Sequence, residues 1–399
     1  MSSGENIFVF VVCGTKEHID TLHFSLVALK RFSKNRIVIV TDTSRNEIEI
    51  EHNEIVDIET PIDFNHHQAS IFLKTGLYKF LHQGNNYCYL DTDVVALDDT
   101  VDEIFRKYVA PITFCSDHCR INAFSPSAVY CGCFESFQED NKKPLYYLKD
   151  FDENVLPKLL YIDRCIEEIE SLIASTKKSK WIHQWHKLKY LIPGYYHLNS
   201  KYKMDKSTGT WYDQNNTLLK YNLKDNMLYI AEKTGYTYSN ETGEWYRQDG
   251  TSLTKLTCHH LLDNIKSKFN IAINPPNWQH WNGGVFLFDD TSQDFLECWH
   301  KSTLEIFKDK QWRTRDQGSL ANTVWKFNLQ NHPTLPICFN FIADYNKKTL
   351  HYLGDLKFEI DSFDEIFKPH FIHVYHHWGD IGWLVWRDVN NHIFEHHAS

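Results

Sequence analysis

Tyr87-Cys88-Tyr89-Leu90-Asp91-Thr92-Asp93-Val94-Val95-Ala96-Leu97 is the stretch on which the fold turns. Four apolar residues read as a buried strand, two acids interrupt it, and apolar chain resumes at once. An ordinary strand end runs into polar loop instead. In extended chain, residues two apart project to the same side. That alternation predicts Asp91 and Asp93 side by side in largely hydrophobic surroundings. Two like charges that close raise one pKa unless a cation lies between them, and a hard divalent ion with oxygen ligands is the natural relief. The alternative is that Asp91 caps a turn and Asp93 is solvated.

Outward from this stretch, the first 115 residues alternate between strand and helix patterns. Ile7–Cys13 is a continuous apolar strand, and Ile19, Leu22, Leu26 and Leu29 then recur at helical spacing. Arg36–Val40 reads as a second strand, Gln68–His82 as a helix, Tyr87–Leu90 as a third strand and Pro111–Cys115 as a fourth. Near-continuous hydrophobic strands between amphipathic helices predict an α/β fold, with a mostly parallel sheet and helices on both faces. Ligands of such sheets sit at the carboxyl ends of the strands. That puts Gly14-Thr15, Asp42, Asp91-Thr92-Asp93 and Ser116-Asp117 on one rim.

The pattern changes over about 118–275, which reads as an insertion. Leu156–Ala174 is a long amphipathic helix, and the Trp/Lys/His-rich stretch Lys180–Tyr190 follows. Then Thr208-Gly209-Thr210-Trp211-Tyr212-Asp213-Gln214 recurs 34 residues on as Thr242-Gly243-Glu244-Trp245-Tyr246-Arg247-Gln248, with Tyr202 matching Tyr236 and Thr217 matching Thr251. Thr-Gly, Asn-Asn and Asp-Gly pairs flanking short aromatic runs predict β-hairpins over about 202–256. Two hairpins bury no core alone, so they are expected to pack on the main domain or on a second copy of the chain. Trp211, Tyr212, Trp245 and Tyr246 are either packing residues or a surface for stacking on a glycan. From about 276 to 399 the α/β pattern resumes. Trp281-Asn282-Gly283-Gly284 reads as a turn into the strand Val285–Phe288, Gln293–Lys308 as a helix, Asp316-Gln317 as the start of another, and Phe371–Tyr375 as a last strand.

The 399 residues carry 52 acids against 42 bases, a net charge of −10 that argues against nucleic acid as a partner. No apolar run reaches the ~20 residues of a membrane span, and no leader pattern opens the chain. Ten scattered cysteines without a C-x-x-C pair suggest reduced thiols and a cytoplasmic location. The aromatic content, 26 Phe, 21 Tyr and 12 Trp, suits a site for a flat polar ligand as well as an aromatic core.

In order along the chain, these pieces resemble the GT-A glycosyltransferases, family 8 above all, the retaining, metal-dependent enzymes that use sugar nucleotides. The similarity covers about 1–117 and 276–380. It implies that Cys13-Gly14-Thr15 forms the nucleotide-base loop and that Lys74 contacts the donor. Asp91-Thr92-Asp93 matches the D-x-D motif, and His373 completes a metal site with Asp91 and Asp93 for Mn²⁺ or Mg²⁺. Asp117 falls where the family has an acid facing the donor sugar. Asn282-Gly283-Gly284-Val285 resembles its N-x-G-V turn, and Asp316-Gln317 its D-Q helix start. The resemblance implies a UDP-sugar as donor, a glycan, lipid or protein as acceptor, and retention at the anomeric carbon. The chain departs from the family's last motif: His376 and Gly379 stand where it has a glycine and a diphosphate-gripping lysine, so His376, His377 and Arg387 become the candidates for that grip. The departure leaves open a catalytically impaired sugar-nucleotide or glycan-binding protein of the same fold. A haloacid-dehalogenase-type phosphatase, which also has D-x-D after an apolar strand, would need Gly or Thr where Val94-Val95 stand.

Overall fold

The computed structural model describes residues 4–135, 156–207, 209–220, 237–239, 244–246, 256–344, 350–360 and 366–394. The chain forms two compact units, 1–131 with 259–399 and 132–258. The helices Ile121–Ala128 and His260–Phe269, which the sequence places in the insertion, therefore lie in the α/β unit.

In the first half of the α/β unit, the strands are β1 (Asn6–Val11), β2 (Arg36–Thr41), β3 (Ile55–Asp57), β4 (Asn86–Leu90), β5 (Val94–Ala96) and β6 (Ile112–Arg120). The sequence shows no alternation over the three residues of β3 and stops β6 at Cys115. Asp117 thus lies inside a strand, not in the loop after one. The expected helix 68–82 is two helices, His66–Thr75 and Leu77–Phe80, broken at Gly76. Helix His66–Thr75 opens on a capping box: Asn65 accepts from Gln68 N while Gln68 reaches back to Asn65 N.

Unit 132–258 holds the helices Leu156–Lys178 and Lys180–Leu191 and an antiparallel meander of β7 (Tyr195–His197), β8 (Tyr202–Asp205), β9 (Thr210–Asp213) and β10 (Leu218–Lys220). A separate hairpin pairs β11 (Thr237–Ser239) with β12 (Glu244–Tyr246). Both halves of the repeat are hairpins in one register. Met204 faces Trp211 and Lys203 faces Tyr212; 34 residues on, Tyr238 faces Trp245 and Thr237 faces Tyr246. The first hairpin finds cover within its own unit. Trp211, Tyr196, Tyr202 and Leu219 pack with Cys165 and Ile169 of the long helix, whose i, i+4 spacing turns both toward the meander. Trp211 is buried, so it is a packing residue and not an exposed stacking surface. Thr208, Tyr236, Thr242-Gly243, Arg247-Gln248, Thr251 and the side chains of Trp245 and Tyr246 lie outside the described residues.

The chain returns to the α/β unit through β13 (Gln279–Phe288), β14 (Phe341–Ile342), the hairpin β15 (Leu350–Gly354) with β16 (Lys357–Ile360), and β17 (Phe371–His373). The main sheet has the order β3-β2-β1-β4-β13-β6, and only β13 runs against the rest. Alternation along each strand separates two cores. Phe8, Phe10, Cys88, Leu90, Val285 and Leu287 face one side, toward Leu22, Leu26 and Trp386. Ile7, Val9, Tyr87, Tyr89, Phe286 and Phe288 face the other, toward Leu73, Trp299 and Leu320. This is the mostly parallel sheet covered on both faces that the sequence predicts. A smaller sheet, β14-β17-β5, carries the chain that follows the two acids.

Candidate functional site

The site gathers at the carboxyl edge of the main sheet, and each residue arrives there by a traceable local cause. Asp91 and Asp93 are not in extended chain. They flank a tight turn between β4 and β5, closed by Val94 N donating to Asp91 O (3.1 Å). The turn, not strand alternation, brings the carboxylates together. His373 joins them because β17 pairs antiparallel with β5, His373 opposite Val94, and Val374 N donates to Asp93 O (3.1 Å). One ligand atom from each of Asp91, Asp93 and His373 lies within 4.8 Å of the others. His373 Nε2 stands 3.2 Å from Asp93 Oδ1. Burial works to lower the His373 pKa and to raise that of Asp93, but their pairing outweighs it, so His373 is held up and Asp93 down.

The glycines are part of this geometry. The expected turn at 281–284 is instead a bulge in a continuous strand: Asn282 pairs with Cys115 and Phe286 with Phe114, so Gly283, Gly284 and Val285 have no partner on β6. Gly284 O accepts from Asp91 N (2.8 Å). A Cβ at Gly284 would stand 2.7 Å from His373 Cε1 and 3.1 Å from Asp91 Oδ2, filling the space between imidazole and carboxylate. At Gly283 the atoms nearest a Cβ would be Lys74 Nζ and Gln317 Oε1, at 3.6 and 3.7 Å.

Lys74 is buried near the end of helix His66–Thr75. One turn earlier on the same face, Ser70 Oγ donates to Cys13 O (3.3 Å). Lys74 Nζ lies 3.0 Å from Asp91 Oδ1, 3.1 Å from Asp316 Oδ2 and 5.0 Å from the centre of the Tyr89 ring. Burial pulls the ammonium pKa down, and the two carboxylates more than restore it, so Lys74 is a fixed cation. Asp316, in the first turn of helix Arg315–Lys326, is correspondingly held below the ordinary carboxylate range, Lys74 outweighing its burial. Gln317 Oε1 accepts from Gly283 N (3.3 Å). Asp117 is buried, yet its carboxyl is also held low, by His118 Nδ1 at 2.7 Å, by His280 and by Asn282 Nδ2 at 3.0 Å.

The rim loop after β1 is shaped by Gly14, whose φ of +117° suits only glycine and whose missing Cβ leaves room for His66. Gly14 N donates to Asn46 Oδ1 (3.2 Å), Cys13 is buried, and Thr15 precedes helix Lys16–Phe32. Asp42 stands on the same rim, but its oxygens face inward to Ser44 Oγ, Thr60 N, Thr60 Oγ1 and Arg45 Nε. In this structure it braces the 42–60 loop. Thr92 O accepts from Ser25 Oγ (2.6 Å). His376 and Gly379 are exposed on the loop after β17, and three successive amides of that loop, Tyr375 N, His376 N and His377 N, donate to Asp344 Oδ2. Neither residue belongs to the Asp91–Asp93–His373 group, and the loop that carries them is tied by its backbone to a buried aspartate.

Sequence reading missed four residues of this neighbourhood. Tyr89, taken as strand apolar, donates its phenol to Asp91 Oδ1 (2.5 Å). Asn340 joins Asn282 to His373. Asp344 holds the β17 loop. His280 is buried beside Asp117, with neither ring nitrogen partnered among the described residues and its pKa pushed down to about 4 by burial. Only Tyr89 had a signal, its place two residues before Asp91; the others depend on contacts remote in sequence.

The donor set suits a divalent cation: two carboxylates and an imidazole converge, with a cradle that a Cβ at Gly284 would fill. No protein-family model and no curated protein matches this sequence. Among solved structures, the chain is similar to the apo bifunctional glycosyltransferase WbbM (11% identity, TM-score 0.41), over 98% of this chain and 50% of that one. It is also similar to the galactosyltransferase LgtC in complex with donor and acceptor sugar analogues (11%, TM-score 0.20; 28% and 46%) and to mouse xyloside xylosyltransferase 1 (14%, TM-score 0.22; 35% and 59%). This chain thus spans about half the length of the first of these proteins.

Proposed function

We propose that this protein is a metal-dependent glycosyltransferase of GT-A type, close to family 8, that moves a sugar from a UDP-sugar to a glycan, lipid or protein acceptor with retention. The convergence of Asp91, Asp93 and His373 within 4.8 Å at the carboxyl edge of the sheet is the observation that carries the reading. Asp91, Asp93 and His373 would hold Mn²⁺ or Mg²⁺, which supplies charge neutralisation to the departing diphosphate.

The remaining roles follow from protonation. Asp316 and Asp117 are held ionised, so neither serves as a general acid near neutrality. As anions they suit the other demand of the reaction, positive charge growing at the anomeric carbon and sugar hydroxyls that must be held. Asp316 and Gln317 stabilise that charge from one face, and Asp117 with Asn282 orients hydroxyls. Lys74, a cation locked between Asp91 and Asp316, bridges the two carboxylates, offsets their repulsion and faces donor oxygens. The loops at Cys13–Thr15 and Asp42 receive the nucleoside.

The test is a screen of UDP-sugars with Mn²⁺, read first as a rise in melting temperature and then as release of free sugar. Asp93→Asn is expected to remove at least 99% of metal-dependent turnover while the fold persists, since Asp93 lies at the rim. Turnover that survives that exchange, or survives chelation, refutes the mechanism. Mn²⁺-dependent binding without turnover would make the chain a sugar-nucleotide-binding protein. Proton NMR of the first-formed product anomer decides retention.

A further inference from the structure

Four buried side chains run between the two halves of the site, and the donor in each hydrogen bond can be assigned without ambiguity. The assignment starts at Gly284 N, which can only donate; it bonds Asn282 Oδ1 at 2.8 Å. The other end of that amide, Nδ2, then faces Asp117 Oδ2 at 3.0 Å, an ionised acceptor, so Asn282 is fixed from both ends. The Asn340 atom 2.9 Å from Asn282 Oδ1 must therefore be its Nδ2. Its Oδ1 is left facing His373 Nδ1 at 2.9 Å, and an amide oxygen there requires that Nδ1 carry the hydrogen. The nitrogen that faces Asp93 is then Nε2. Asn340, Asn282 and His373 are all buried, so water offers no substitute for any of these bonds. Asn340 itself is set by its backbone, between the turn Ile337–Phe339 and β14, which pairs parallel with β17.

We propose that Asn340 is a positioning residue: it holds the His373 imidazole in the one tautomer and ring orientation that present Nε2 to Asp91 and Asp93. The proposal rests on the metal-site reading above. An outer partner of this kind typically changes metal affinity by 10–100-fold when removed. Two substitutions separate the role from packing. Asn340→Leu keeps the branched outline and loses both the acceptor for His373 and the donor to Asn282. Asn340→Asp keeps an acceptor oxygen for His373 Nδ1 and nearly the same shape, and its second oxygen, protonated in this buried place, still donates to Asn282 Oδ1.

Binding of Mn²⁺ alone, measured by EPR of the free ion on the full chain, provides the test. Asn340→Leu is expected to bind Mn²⁺ at least tenfold more weakly than wild type, and Asn340→Asp within threefold of wild type or more tightly. Wild-type affinity in the Leu variant, or a loss in the Asp variant equal to that in Leu, would overturn the proposal. If the Leu variant does not fold, the Asp variant alone decides: retained affinity supports the role and a tenfold loss refutes it. The metal site itself is judged separately, by wild type against Asp93→Asn. If those two bind Mn²⁺ alike, the site reading fails whatever the substitutions at 340 do.

Discussion

At the scale of single residues, the two glycines after Asn282 look equivalent in sequence and are not equivalent in space. Gly284 lies where any Cβ would press on His373 and Asp91, whereas Gly283 has ordinary clearance. Gly284→Ala is expected to displace the imidazole or the carboxylate and to weaken Mn²⁺ binding by at least tenfold. Gly283→Ala is expected to bind Mn²⁺ within twofold of wild type. Equal effects in the two variants, by the same EPR titration, would show that the bulge adapts and that the cradle is not steric. Residue-level legibility followed the same division. Asp91, Asp93 and His373 converge, and Lys74, Asp316 and Gln317 lie beside them, the residues that the family resemblance singles out. Asn340 and Asp344 carry no local mark, being an Asn and an Asp in loops whose partners, on β13, β17 and the loop after it, lie about 30 to 60 residues away.

Among the elements, those long enough to show a period were legible: β1, β2, β4, β13 and the helices Lys16–Phe32, Leu156–Lys178 and Gln293–Ile306. Those set by tertiary pairing were not. Three-residue β3 shows no alternation, and β6 runs on to Arg120 through polar residues because β13 supplies its ladder. The D-x-D segment is a turn where alternation predicts extended chain: its two aspartates are turn formers, but they stand directly between apolar runs with no Gly, Pro or Asn beside them. The meander's Trp211 illustrates the same limit: an aromatic run marks a hairpin but does not say which face is covered. Trp211 packs on Tyr196 and the long helix, and deleting such a ring typically costs about 3–5 kcal/mol. Trp211→Ala is therefore expected to unfold the 132–258 unit at a lower denaturant concentration, by near-ultraviolet circular dichroism or limited proteolysis. Loss of acceptor binding with unchanged stability would restore a ligand-facing role for this ring.

Over the whole α/β unit, buried titratable groups predict how stability varies with pH. His280 and His300 are buried, and their pKa values are pushed down from 6.5 to about 4. The unfolded chain takes up those protons near pH 6.5, the folded chain only near 4, so stability falls as the pH drops through that window. Each such shift corresponds to about 3 kcal/mol when complete. Asp93, Asp117 and Asp316 are lowered carboxylates, whose contribution disappears at still more acid pH. His373, raised by its pairing with Asp93, works in the opposite direction and loses its contribution as the pH rises through its folded value. His280→Phe keeps a ring against Phe124, 4.6 Å away, and removes one acid-sensitive group. The drop in melting temperature between pH 7 and 4.5 is expected to be smaller in that variant than in wild type. An unchanged drop would assign the acid sensitivity to other groups. None of this is legible from 23 histidines in a row of letters, because burial of an imidazole is a property of the packed interior.

The shared register of the two hairpins bears on how such a chain can change its length. Because Met204 and Tyr238 meet their tryptophans at the same offset, excising any 34 consecutive residues across the junction fuses the start of one unit to the end of the next without shifting either strand. A chain that gains or loses whole 34-residue copies therefore keeps its strands in frame with the pleat, and copy number becomes a dial that evolution can turn without touching the residues of the Asp91–Asp93–His373 group.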